Sequence, residues 1–455
     1  MQDTVLVGSK YNFLVENEGT CLVYNTLYPA LWEVDRTLFD FLKQKEDTQS
    51  CPLDADLKAR ALQAKLLCPA QEDQKKTALF LLNKAVFSND LFVSILPARG
   101  CNFRCVYCFE DHKNESLTDE GEKRICRFFK RNVRKFKSVK IDWFGGEPLL
   151  EKDRVISIMQ AAQDACEKAG VPLYANIITN GYLLDLDTFL ALTKTGVLFY
   201  QITIDGPAHI HNRYRPLTGG GETYDRIIQN LLEIHRHAGN SLFSVAVRTN
   251  LDQDTISEYP AFRAEMQRLF ENDSRFRFSA NQIADWGGED VRQMHLIDDQ
   301  TGLLPEEKEK YLPSEGEMDN SDFMLRPLHE RRCHAGRYYG FAVAPDLTVH
   351  KCTNLSFNTD KKDSDQLFFV NECGYIAKNG SVVFDDAKLA AYMQLPVPEE
   401  QCGDCAWMPY CTMVTCPNQA FRTGRPRCML DKTAGTAHLE KEIIRLYKNG
   451  RYKKI

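Results

Sequence analysis

The chain has 455 residues, with 57 Lys+Arg against 63 Asp+Glu for a net charge of −6, and an isoelectric point near 6.0. That balance disfavours a protein that grips nucleic acid by neutralising phosphates, and no apolar run approaches the roughly 18 residues of a membrane span. Hydrophobic residues make up 43%, enough for substantial cores, and domains of about 150 residues predict two or three of them. Met1–Phe13 shows neither a basic segment leading into an apolar core nor a small-residue cleavage site, so a cytoplasmic location is expected.

In chain order, Tyr11–Glu16 and Thr20–Asn25 read as a hairpin turning at Glu18-Gly19, and Leu31–Lys43 as a helix with apolar positions 38, 39, 41 and 42. Residues 1–85 are thus expected to form a small winged-helix-like module. From Leu91 the pattern becomes regular. Strands are predicted at 91–96, 139–144, 174–179, 199–204, 243–249 and 277–283, with helices near 119–136, 153–168, 186–195, 224–237 and 259–270 between them. Such alternation predicts an α/β fold, a parallel sheet curled into a partial (β/α)6 TIM-like barrel over residues 86–315, with its active site at the strand C-termini. The segments with chemical potential follow strands: a cysteine loop at 101–108, Gly145-Gly146-Glu147-Pro148, Asn180-Gly181, Asp205-Gly206-Pro207 and the pair Arg248/Asn250.

The sixteen cysteines cannot be a disulfide framework in a reducing compartment, so metal ligands are expected among them. A C-x3-C-x2-C array such as Cys101, Cys105 and Cys108 arises by chance about 0.02 times at this cysteine frequency. Three thiolates from one loop fall one short of a structural zinc set unless His112 completes it. Iron–sulfur cubes take thiolates, normally four, and three would leave one iron open. Cys21, Cys51, Cys68, Cys126, Cys166 and Cys373 stand alone, and burial as small apolar side chains is expected for most of them.

At this point the sequence resembles the radical S-adenosylmethionine (SAM) superfamily, whose signature is C-x3-C-x2-C after the first barrel strand with an aromatic, here Tyr107, before the third cysteine. The resemblance implies a [4Fe–4S] cluster on Cys101, Cys105 and Cys108, whose open iron chelates SAM and cleaves it to a hydrogen-abstracting 5′-deoxyadenosyl radical. It implies that Gly145, Gly146 and Glu147 receive the SAM ammonium, that Thr203 and Asp205 face its methionine or ribose, that Arg248 pairs with its carboxylate, and that Tyr107 lies at the adenine.

The C-terminal cysteines, over residues 316–455, resemble the SPASM extension of such enzymes. By that resemblance Cys402, Cys405, Cys411 and Cys428 hold an outer auxiliary [4Fe–4S] cluster, and Cys333, Cys352 and Cys416 an inner one, giving three clusters in all. Leu347 stands where the family usually has glycine, and the Cys411–Cys416 gap is one residue longer than usual. The inner set is one ligand short, to be closed by Cys373, by another group, or left open for substrate. A zinc-ribbon-like site is the alternative for this region. SPASM proteins mostly modify peptides, so a precursor peptide docking its leader on the N-terminal module by strand addition, and a reductant such as flavodoxin or ferredoxin, are the implied partners. The activity so implied is peptide maturation, thioether crosslinking among the options. Sulfatase-maturase-like oxidation of a protein Cys or Ser is the alternative, against which Thr353 stands where those enzymes tend to place an aspartate after Cys352. A non-catalytic iron–sulfur or zinc-binding protein is the alternative of another class.

Overall fold

The computed structural model describes residues 5–44, 53–283, 290–297, 324–325, 333–353, 371–393, 405–409 and 434–455. The chain divides into two compact units, one of Met1–Ser88, Asp319–Tyr338 and Met393–Ile455, the other of Asn89–Met318 and Tyr339–Tyr392. Cys51, Cys402, Cys411, Cys416 and Cys428 lie outside the described residues.

The first unit opens with β1 (Leu6–Gly8), then β2 (Asn12–Asn17), β3 (Thr20–Asn25) and β4 (Ala30–Val34). Next come α1 (Arg36–Gln44), α2 (Ala55–Gln63), β5 (Leu67–Pro69) and α3 (Gln74–Val86). Strands β2 and β3 form the expected hairpin, with Asn17 opposite Thr20. Its two loop residues, Glu18 and Gly19, both have positive φ, 49° and 82°, the geometry whose twist matches the flanking strands. The helix expected over Leu31–Lys43 begins only at Arg36. Leu31 and Val34 share a spacing that suits a helix, yet β4 pairs antiparallel with β3, Trp32 opposite Val23, so ladder hydrogen bonds override the local pattern. Asp35 then starts α1 by accepting the Leu38 N–H at 2.7 Å, and Leu38, Phe39, Phe41 and Leu42 are buried as expected.

In the second unit the order is β6 (Asp90–Ile95), α4 (Asp119–Asn132), β7 (Ser138–Trp143), α5 (Lys152–Ala169), β8 (Leu173–Thr179) and α6 (Leu186–Lys194). It continues through β9 (Val197–Thr203), α7 (Ala208–Tyr214), α8 (Tyr224–His237), β10 (Ser244–Leu251), α9 (Tyr259–Leu269) and β11 (Phe276–Gln282). These six strands are parallel and stand side by side in chain order. The unit ends with β12 (Gly340–Val343), β13 (Thr348–His350), β14 (Glu372–Ile376), β15 (Val382–Phe384) and α10 (Asp386–Met393). Here β12 adds parallel to β6, and β13 to β15 follow antiparallel, so ten strands make one open sheet in which β6 and β11 are not paired with each other.

Alternation along these strands sorts the side chains. Leu91, Val93 and Ile95 of β6, Val139, Ile141 and Trp143 of β7, and Ala175 and Ile177 of β8 are buried. Each fully buried large apolar side chain contributes about 1.5–3 kcal/mol of transfer free energy. Asp142, Asn176, Gln201, Thr203 and Arg248 point to the other face and are only partly covered. The apolar rows hold the sheet to its helices, and the polar face and strand ends are left for chemistry.

The first unit closes with α11 (Ala434–Lys448) and β16 (Lys453–Lys454), which adds parallel to β4. Strand β3 is buried on both faces. Cys21 and Val23 pack with Leu38 and Leu57, while Leu22 and Tyr24 pack with Leu439, Ile443 and Leu446. Of the solitary cysteines that are described, Cys21, Cys68, Cys166 and Cys373 are buried as expected, and Cys126 is partly exposed. Among the described residues no helix is long and apolar enough to cross a membrane.

Candidate active site at the strand ends

The loop after β6 carries Cys101, Cys105 and Cys108, and it is tied down on both sides. Arg99 N–H donates to the Glu115 carbonyl at 2.9 Å and Leu117 N–H to the Pro97 carbonyl at 2.8 Å, closing the base of the loop. Farther on, Arg104 N–H donates to Pro216, Val106 N–H to Tyr214 and Thr218 N–H to Asn102. The thiols are therefore presented by a backbone whose polar groups are already satisfied. The Phe103 N–H points at the Cys101 sulfur, 3.3 Å away.

The Gly145-Gly146-Glu147 loop after β7 packs against this loop. Gly145 has φ +115°, and a Cβ there would strike the Ala98 carbonyl. At Gly146 a Cβ would strike the carbonyls of Gly100 and Arg99. The two glycines thus serve close approach of one backbone to another. Glu147 is fully buried and its carboxylate is spent on the protein. Oε1 accepts from the Leu149 N–H at 2.9 Å and the Thr179 hydroxyl at 2.7 Å, and Oε2 from the Asn180 N–H at 2.8 Å. Burial raises its pKa, and these donors oppose the rise. Glu147 thus braces the ends of β7 and β8, and its backbone N–H reaches the Gly100 carbonyl at 3.0 Å.

Tyr107 is the hub of a buried polar network. Its hydroxyl donates to Asp205 Oδ2 and accepts from Arg215 Nη1 at 2.6 Å and Asn250 Nδ2 at 3.1 Å. Asp205 Oδ1 accepts the Asn250 N–H at 2.8 Å, and Arg248 Nε donates to Asn250 Oδ1 at 2.9 Å. Burial raises the Asp205 pKa, and the Arg215 guanidinium is the main group opposing it. Burial likewise lowers that of Arg248. The network joins the cysteine loop to the ends of β9 and β10.

One cavity of about 230 Å³ is lined by Cys101, Cys105, Cys108, Tyr107, Gly145, Gly146, Thr203 and Arg248. Of the residues that the resemblance marks for the radical cluster and SAM, all line this cavity except Glu147 and Asp205, which stand behind its wall as braces. Arg215, Asn180, Gln201, Asn250 and Gln282 also line it. Of these, Arg215 carried no signal in the sequence: it sits ten residues beyond Asp205, at the end of α7, and only the fold brings it back.

The residues fit an iron–sulfur cluster on the chemistry of the donor set, three soft thiols that line one cavity. Burial lifts all three thiols, Cys101 to about 12, with the Glu147 carboxylate adding to it. Metal loading must therefore displace protons. Of the auxiliary set, Cys333 is exposed, Cys352 and Cys405 are partly exposed, and Cys373 is fully buried in β14.

Residues 95–259 match the model of the Radical SAM superfamily, and the chain carries a radical SAM domain. It is 28% identical over 196 residues to Fe-coproporphyrin III synthase of Methanosarcina barkeri, covering 42% of this chain and 44% of that protein. It is also 28% identical over 190 residues to the serine-type anaerobic sulfatase-maturating enzyme of Bacteroides thetaiotaomicron, 39% of this chain and 43% of that one. The chain thus spans under half the length of these curated relatives. Among solved structures its fold is similar to native anSMEcpe with bound AdoMet and Cp18Cys peptide, at TM-score 0.51 and 17% identity, over 79% of this chain and 98% of that one.

Proposed function

We propose that this protein is a radical SAM peptide maturase. The observation that carries the reading is a cavity in which three thiols, the Gly145-Gly146 loop and the Tyr107 network meet at the ends of parallel strands. When bound, the cluster and SAM supply an electron and a 5′-deoxyadenosyl radical that takes a hydrogen atom from the substrate. The chain's part is to hold and orient. Cys101, Cys105 and Cys108 supply the thiolates. Arg248, desolvated on the wall, is suited to a carboxylate, and Thr203 to a hydroxyl or amine. Tyr107, clamped by Asp205, Arg215 and Asn250, fixes the loop between the second and third thiols, so that the cavity keeps its shape.

The C-terminal cysteines are assigned to two auxiliary clusters, and a peptide to the substrate role, on the resemblance of the cysteine pattern. A ribosomally made peptide, its leader added to the β2 edge of the first unit, agrees with β2 standing at the end of its sheet. A thioether crosslink is the proposed product. A second reading, oxidation of a Cys or Ser in a target protein, is favoured by the named sulfatase-maturating relative and disfavoured by Thr353.

The test is anaerobic reconstitution followed by iron analysis and chromatography of SAM products. About twelve irons are expected, three cubes of four, with 5′-deoxyadenosine formed on reduction. Stoichiometric zinc with little iron would refute the assignment. Mass spectrometry of a Cys-containing precursor peptide should show loss of two hydrogens for a thioether.

A further inference from the structure

Three buried polar atoms on the cavity wall are used by nothing in the radical-site arrangement described above. Both carboxyl oxygens of Glu110 are shut off from solvent and accept no hydrogen bond, and the same holds for Nδ1 of His112. Glu110 is nine-tenths buried, and both residues line the cavity shared by the three thiols. Arg99 acts on Glu110 through its charge alone, without a hydrogen bond. Asp111, between them in the chain, turns to Arg99 and Lys113, and Arg99 also holds Glu115 at 2.9 Å. His112 moreover sits at φ +50°, a left-handed conformation that non-glycine residues adopt at a cost and that concentrates at functional sites. A buried acceptor without a donor forfeits its hydration for no return. A carboxyl and an imidazole nitrogen without partners, on residues that line a cavity, define the kind of group that completes them.

We propose that Glu110 and His112 form a subsite for a cationic, N–H-bearing group of the molecule that occupies the cavity. Two sources of that chemistry exist, a basic side chain beside the reacting residue of a peptide, and the ammonium of SAM itself. The inference rests on the proposed function for the identity of these occupants, and on the orphaned atoms for the subsite.

The full-length reconstituted protein is tested by equilibrium dialysis with SAM, and separately with the peptide amides N-acetyl-Ala-Lys-Cys-Ala and N-acetyl-Ala-Glu-Cys-Ala. The subsite predicts one of two patterns. Wild type prefers the lysine peptide at least tenfold, falling to within twofold in Glu110→Gln, if the peptide brings the cation. SAM affinity instead falls at least tenfold in Glu110→Gln if SAM brings it. Wild type without a peptide preference, including no binding of either peptide, together with SAM affinity unchanged in the variant, overturns the proposal. Unaltered preference and unaltered SAM affinity in the variant overturn it equally. If Glu110→Gln loses iron, Glu110→Met, close in volume and without a polar atom, takes its place in both arms. Wild type that loads iron and cleaves SAM yet fails these measurements refutes the subsite alone. Wild type that does neither refutes the proposed function.

Discussion

At Gly146 a single methyl group is too much, because the carbonyls of Arg99 and Gly100 occupy its place. Gly146→Ala is expected to push the cysteine loop away, lowering iron loading at the radical site and cutting 5′-deoxyadenosine formation by at least tenfold, read by iron assay and chromatography. The pair of glycines was visible in the sequence, but the two carbonyls they approach were not. Glu147 shows the same division. Its presence was legible, whereas its work, three accepted hydrogen bonds across two strand ends, depends on Thr179 and Asn180 being neighbours in space. Away from the site, Asp273 is held down to about 2 by hydrogen bonds from Arg275, with His235 adding to them. A carboxylate depressed below its unfolded value stabilises the fold above about pH 4, and that contribution disappears as pH falls through about 2. Asp273→Asn should cost about 1 kcal/mol at neutral pH, after allowing for solvent screening, and almost nothing at about pH 1, below both pKa values, as thermal melts across pH would show.

Element by element, the helices of the second unit were legible because each carries its own boundary signals. Thr118 accepts the Gly121 N–H at 3.1 Å, acidic Asp119, Glu120 and Glu122 fill the first turn of α4, and Lys130 and Arg131 the last, in line with the helix dipole. Thr118→Ala is expected to cost about 1 kcal/mol, a fall of roughly 2–4 °C in Tm. At β4 local reading fails, since the apolar residues of Ala30–Val34 suit either period. Only the partner β3, long in sequence terms and buried on both faces, decides that this segment is a strand. The last strands of the sheet, β12 to β15, are short and follow a long gap from β11. Nothing in their own pattern says that β12 pairs with β6, as Gly340 does with Phe92.

At the scale of a whole unit, the last residues of the chain pair with β4 within the first unit. Lys453 and Lys454 pair with Trp32 and Glu33, and the Ile455 N–H reaches the Glu33 carbonyl at 2.9 Å. Deleting residues 453–455 should uncover the β4 edge, and amide hydrogen exchange at residues 30–34 should quicken while that of β6 to β9 stays as it was. On the proposed three-cluster assignment, replacing Cys101, Cys105 and Cys108 together by alanine should lower bound iron from about twelve to about eight and abolish 5′-deoxyadenosine. The sequence by itself determined the alternation of strands and helices, the cysteine triplet and the loops that follow strands, because periodicity, caps and motif spacing are properties of neighbours in the chain. Tertiary structure alone decided that Arg215 clamps Tyr107, that Glu147 braces the wall without facing the cavity, and that Glu110 and His112 are left unpaired on its lining. Those facts are distances between residues far apart in sequence, or hydrogen bonds left unmade, and no local pattern records either.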